Sequence, residues 1–152
     1  MAVAPRPLVG ALSERPQTVH PGPVVDQRFF ECAARIEHDL RTRFPEITVR
    51  MVRDPDGDWE CEVRDGNDYW GSVGSWDDDD SVPSAEEVEE FTESLALNVA
   101  DNLWPDELTD PWPLCSLHGD HPLQPCLVAR RAVWQCWRDE KFGIRVGDLP
   151  PT

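Results

Sequence analysis

Cys115, His118 and His121 follow the pattern Cys-x-x-His-x-x-His, and Cys136 ends the strand-like run Ala132-Val133-Trp134-Gln135-Cys136. Thiolate and imidazole are soft and borderline donors, and zinc takes four such nitrogen or sulfur ligands in a tetrahedron. Cys115 and His118 have the spacing of a close pair delivered by one turn. Cys136 would arrive from a hairpin, and His121 or Cys126 would complete the shell. A zinc ion here is expected to be structural, because the segment around it is short, rich in Pro and poor in apolar residues, and so needs a cross-link to hold its shape. A catalytic ion would instead need an open coordination position and a nearby base. Asp120 is the acid that can be named for that role, which makes a small metal-dependent hydrolase the alternative function.

On these residues the last third of the chain resembles a zinc-ribbon or zinc-hairpin module. It departs from the paired Cys-x-x-Cys knuckles of that class, since Trp137 and Arg138 follow Cys136 where a second ligand would stand. The resemblance implies a small β-hairpin segment stapled by metal and extends to no other part of the chain. His118-Gly119-Asp120-His121 also shares an Asp-His step with HNH nucleases, but no Asn or His follows His121 to finish such a site.

Other acidic runs suit metals less well. Asp77-Asp78-Asp79-Asp80 is contiguous, whereas a calcium loop alternates its ligands, so a solvated acidic loop is expected. Asp54-Pro55-Asp56-Gly57 has the residues of a tight turn, with Pro fixing φ and Gly accepting positive φ.

The elements that must carry these groups follow from periodicity. Residues 1–24 hold five prolines and little apolar pattern, which predicts a disordered tail. From Asp26, which has the side chain of an N-cap, Phe29, Ala33, Ile36, Leu40 and Phe44 form one helical stripe that Pro45 ends. Ile47, Val49 and Met51 then alternate as a strand. Trp59, Cys61 and Val63 give a second strand, and residues 69–76 a third, joined by Asp- and Gly-containing turns. Ser84 with Glu87 fits a capping box ahead of the stripe Val88, Phe91, Leu95, Val99, Leu103. The expected fold is α+β: two helices on a three-stranded antiparallel sheet in the order α-β-β-β-α across 25–108, followed by a β-hairpin segment over 109–152 with strands at 131–137 and 143–146.

Charge is distributed unevenly. The chain of 152 residues carries a formal −16, yet residues 54–110 alone hold 20 acids against one base, a net of −19. Such a field repels nucleic acid and anionic membranes and speeds encounter with basic proteins. No run of apolar residues is long enough to span a bilayer. Thirteen Arg against one Lys is the bias of a GC-rich bacterial genome, and five cysteines without a leader-like N-terminus suggest a reducing, cytoplasmic setting. Trp70 and Trp76 have the phase opposite to Tyr69 and Val73, so one face of the third strand is expected either to expose these aromatics or to pack them under the C-terminal segment. With Asp77, Asp78, Asp79, Asp80, Glu86 and Glu90 they would make a partner-binding surface. The function expected from the whole is a non-catalytic interaction protein, of adaptor, chaperone-like or inhibitor type, that captures a basic protein.

Overall fold

The computed structural model describes residues 27–76, 82–102 and 111–151. The Pro-rich tail, the Asp26 cap, Asp77 to Asp80 and Leu103 lie outside them. Among the described residues, helix α1 (Gln27–Arg41) leads into an antiparallel sheet of β1 (Ile47–Arg53), β2 (Trp59–Asp65) and β3 (Asp68–Trp76). Helix α2 (Ala85–Asn102) follows, and then a second antiparallel sheet of β4 (Gln124–Val128), β5 (Arg131–Gln135) and β6 (Gly143–Arg145). This is the expected α+β order, with a three-stranded sheet where a hairpin was expected. The extra strand, β4, contains Pro125, which removes a backbone donor and is tolerated because β4 lies at the sheet edge.

The helices form where the stripes lie. Phe29, Cys32, Ala33, Ile36 and Leu40 of α1 are buried, and Phe44 closes the helix end through its N–H on the Leu40 carbonyl before Pro45. At the start of α2, Ser84 N–H donates to Glu87 Oε2 at 2.6 Å and Glu87 N–H donates to Ser84 Oγ at 3.2 Å, the reciprocal pair of a capping box. Asp54 Oδ1 accepts from the N–H groups of Asp56, Gly57 and Asp58, which fixes the turn between β1 and β2. Gly57 there sits at φ +101, a region that side-chain-bearing residues avoid.

The register corrects one expectation. β1 and β2 pair without interruption, placing Val49 opposite Val63 and Met51 opposite Cys61 on the buried face. β3 spans 9 residues against 7 in β2, and the two extra residues enter at register shifts between Cys61 and Glu62 and between Val63 and Arg64. Each insertion breaks the two-residue alternation. Trp76 consequently pairs with Trp59 on the inner face, where it packs against Phe29 at 4.6 Å and Phe91 at 5.6 Å. Trp70 turns toward Phe44 at 5.4 Å. Neither tryptophan faces outward as a partner-binding surface required. Tyr69 is the exposed aromatic of this strand.

Helix side chains reach main-chain groups on both edge strands of this sheet. On β1, Arg41 Nε donates to the Ile47 carbonyl at 2.9 Å and Glu37 Oε2 accepts from Val49 N–H at 2.8 Å. On β3, Asn98 Nδ2 donates to the Val73 carbonyl at 2.9 Å.

A single buried cluster runs from the first sheet through both helices into the second sheet, including Trp112, Leu123, Ala132, Trp134, Val146 and Leu149. Two polar groups tie the C-terminal segment to the helices. Asp39 has no exposed surface; its Oδ2 accepts from Trp134 Nε1 and Gly147 N–H, each at 2.7 Å, and its Oδ1 from Leu149 N–H at 3.0 Å. Burial raises this carboxyl above its ordinary value, against the lowering by these three donors. Glu89 of α2 holds Arg35 of α1 with both oxygens, takes Arg145 at 2.9 Å and accepts from Ala132 N–H at 2.8 Å.

Candidate metal centre

Two loops bring the four expected ligands together. The first runs through residues 113–123. It is pinned by Leu123 N–H on the Pro113 carbonyl, Cys115 N–H on the His121 carbonyl and Gly119 N–H on the Cys115 carbonyl, with a bridge between Leu114 and Pro122. Gly119, at φ +73, provides the left-handed turn that folds His118 and His121 back toward Cys115. The second is the β5–β6 turn. It begins at Cys136, whose N–H donates to the Phe142 carbonyl, and is tightened by Gln135 Nε2 on the Glu140 carbonyl.

One ligand atom from each of Cys115, His118, His121 and Cys136 falls within 4.8 Å of all the others. Nδ1 of His118 lies 3.4 Å from Sγ of both Cys115 and Cys136, and Nε2 of His121 lies 3.3 Å from Cys136 Sγ. A tetrahedral zinc with its usual bond lengths would separate a sulfur from a nitrogen ligand by about 3.6 Å. The observed spacings lie within a few tenths of an ångström of that distance, so small side-chain adjustments would seat an ion among them. Cys115, His121 and Cys136 are buried and His118 is exposed.

The electrostatics favour the ligating thiolate at Cys136, whereas the hydrogen bond to Asp120 raises His121 and an incoming ion would have to displace its extra proton. Burial pushes the Cys136 thiol up, but the His121 ring, the backbone N–H groups of Asp139 and Arg138, and Cys115 bring it down to about 6. A thiol in that range gives up its proton readily, as metal binding demands. Asp120 is held at about 2 by its hydrogen bonds to His121 first and Arg138 second, so it is a carboxylate at any ordinary pH. That carboxylate is already engaged: Oδ1 meets His121 Nδ1 at 2.8 Å, and Arg138 Nη1 contacts both oxygens at 3.0 and 2.8 Å.

Cys126, the alternative ligand, stands outside the cluster. Its Sγ donates to Gln135 Oε1 at 3.1 Å, and it stands opposite Val133 of β5. On the expected partner surface, Glu86 and Glu90 are exposed on α2, and Glu86 pairs with Arg130 at 3.2 Å. Trp70 and Trp76 face the core, and Asp77 to Asp80 lie outside the described residues. An exposed aromatic does stand beside the metal cluster: Trp137 is 56% exposed and packs against His121 at 5.3 Å. From the sequence Trp137 could be read as one of the tryptophans stapling the C-terminal segment onto the core and Arg138 had no role, although their position directly after a candidate ligand was a usable signal.

No family model matches the chain, and neither curated proteins nor solved structures give a match. The site therefore has to be read from its own geometry.

Proposed function

We propose that this protein is a non-catalytic binding module, built on a structural zinc centre, that docks a basic protein partner. The observation that carries this is the complete set of four protein ligands in Cys115, His118, His121 and Cys136. Four donors fill a tetrahedral ion and leave no position for water or substrate, which suits a cross-link rather than a hydrolase. The hydrolase alternative needs both an open position and a free base, and Asp120 is committed to His121 and Arg138. Zinc is favoured by the equal split of thiolate and imidazole donors and by their mutual closeness, all within 4.8 Å.

In the role proposed, the ion joins the 113–123 loop to the β5–β6 turn and so holds the second sheet against α1 and α2. The binding face is the acidic one. The segment 54–110 carries −19, and Glu86, Glu87 and Glu90 line the exposed side of α2, where they select for Lys and Arg on a partner.

Metal quantitation on the purified chain is expected to give one zinc per molecule, retained until a strong chelator is added. Proteins captured from lysate on the immobilised chain are expected to be basic and to elute between roughly 0.05 and 0.5 M salt as screening sets in. A stoichiometry near zero removes the zinc centre, and capture indifferent to salt removes the acidic docking face.

A further inference from the structure

Asp120 and Arg138 stand outside the ligand set yet are chained to it. In the tautomer that leaves Nε2 of His121 facing Cys136, Nδ1–H donates to Asp120 Oδ1 at 2.8 Å. Arg138 grips both oxygens of Asp120, and its guanidinium lies 4.9 Å over the ring of Trp137, which in turn packs on His121. The arrangement crosses the two loops, since Asp120 precedes the ligand His121 while Trp137 and Arg138 follow the ligand Cys136.

His118 provides the contrast. It meets both thiols through Nδ1, is exposed, and has no hydrogen bond on Nε2 among the described residues. A neutral imidazole offers two tautomers and a turning ring, and only one combination presents a lone pair to the ion. A carboxylate on the far nitrogen selects that combination in advance, so less freedom is lost when the ion arrives.

Resting on the metal centre proposed above, we infer that Asp120 and Arg138 are positioning residues that fix His121 Nε2 as a metal ligand. Arg138 acts at one remove by holding Asp120 in place. Cobalt(II) titrated into the full chain reports this directly, because its absorption bands give the ligand set and competition with a chelator gives the affinity. Asp120→Asn is expected to weaken cobalt binding by about 10- to 100-fold while the bands of a two-sulfur, two-nitrogen site persist. Arg138→Gln is expected to weaken it by less, since Asp120 still reaches His121.

A second background separates positioning from a general role in folding the loop. With His121→Cys, the ligand is a thiolate that has no tautomer to choose, so adding Asp120→Asn should leave affinity unchanged or tighten it as one negative charge is removed. The inference is overturned if Asp120→Asn binds cobalt as tightly as the parent, or if it loses as much in the cysteine background as in the native one. Wild-type protein that takes up no cobalt at all would overturn the metal centre itself, and the outer pair with it.

Discussion

Replacing Asp39 by Ala tests whether the second sheet is held to α1 by one buried carboxylate. The substitution strips acceptors from Trp134 Nε1, Gly147 N–H and Leu149 N–H. A buried donor left without a partner costs about 1–3 kcal/mol. Trp134 is fully buried, whereas Gly147 is partly open and can recruit water, and removing a carboxylate that burial already disfavours returns part of the cost. The expected loss is about 4 kcal/mol, a large share of the roughly 5–15 kcal/mol that holds a domain together. For a chain of this size it corresponds to about 12–15 °C in Tm. Asp39→Asn should lose only about 1–2 kcal/mol, because one amide oxygen can serve the two donors on Oδ2 and only Leu149 N–H is left facing an NH2 group. Denaturant unfolding followed by tryptophan fluorescence and circular dichroism measures both. An alanine variant within about 1 kcal/mol of wild type, or an asparagine variant as unstable as alanine, would refute the reasoning.

Two further outcomes follow from the same framework. Glu89 is lowered from its ordinary value of 4.5: burial raises it, but the bonds from Arg35, Ala132 N–H and Arg145 outweigh burial. A carboxyl depressed on folding contributes stability that is present above its unfolded value and lost as pH falls through the folded one. Glu89→Gln should therefore cost about 2 kcal/mol at pH 7, with the gap to wild type closing below pH 4.5, as read by melting curves across pH. Gly147 sits at φ +99, and a Cβ there would meet Arg35 Cβ at 2.8 Å and Cα at 3.3 Å. Gly147→Ala should lose about 2 kcal/mol from backbone strain and displacement of α1, and thermal melting should register it as a lower Tm.

The helices were legible in the sequence because each presents one apolar stripe and α2 begins with its capping pair. Three of the four candidate ligands were legible because Cys-x-x-His-x-x-His is a local pattern, and Cys136 because it ends a strand-like run. What escaped was set by pairing across the chain. The phase of Trp70 and Trp76 depends on two residues inserted into β3, and a bulge leaves no mark on simple alternation. β4 was missed because Pro125 argues against a strand until its place at an edge is known. Asp39 has the look of a solvated helix acid; only the return of Trp134, Gly147 and Leu149 from about 100 residues later reveals it as an anchor. Arg138 likewise acquires meaning only when Asp120 arrives from the other loop.

The side chains of Glu37, Arg41 and Asn98 occupy main-chain groups on both borders of the first sheet. A visiting peptide cannot extend that sheet at those points without first displacing a helix residue. Strand addition at those points of the first sheet is thus discouraged, as is stacking of one copy on another through them. At those points of the first sheet a partner would be held by side chains on a helix or sheet face, where charge can discriminate, and not by the sequence-blind hydrogen bonds of a shared ladder.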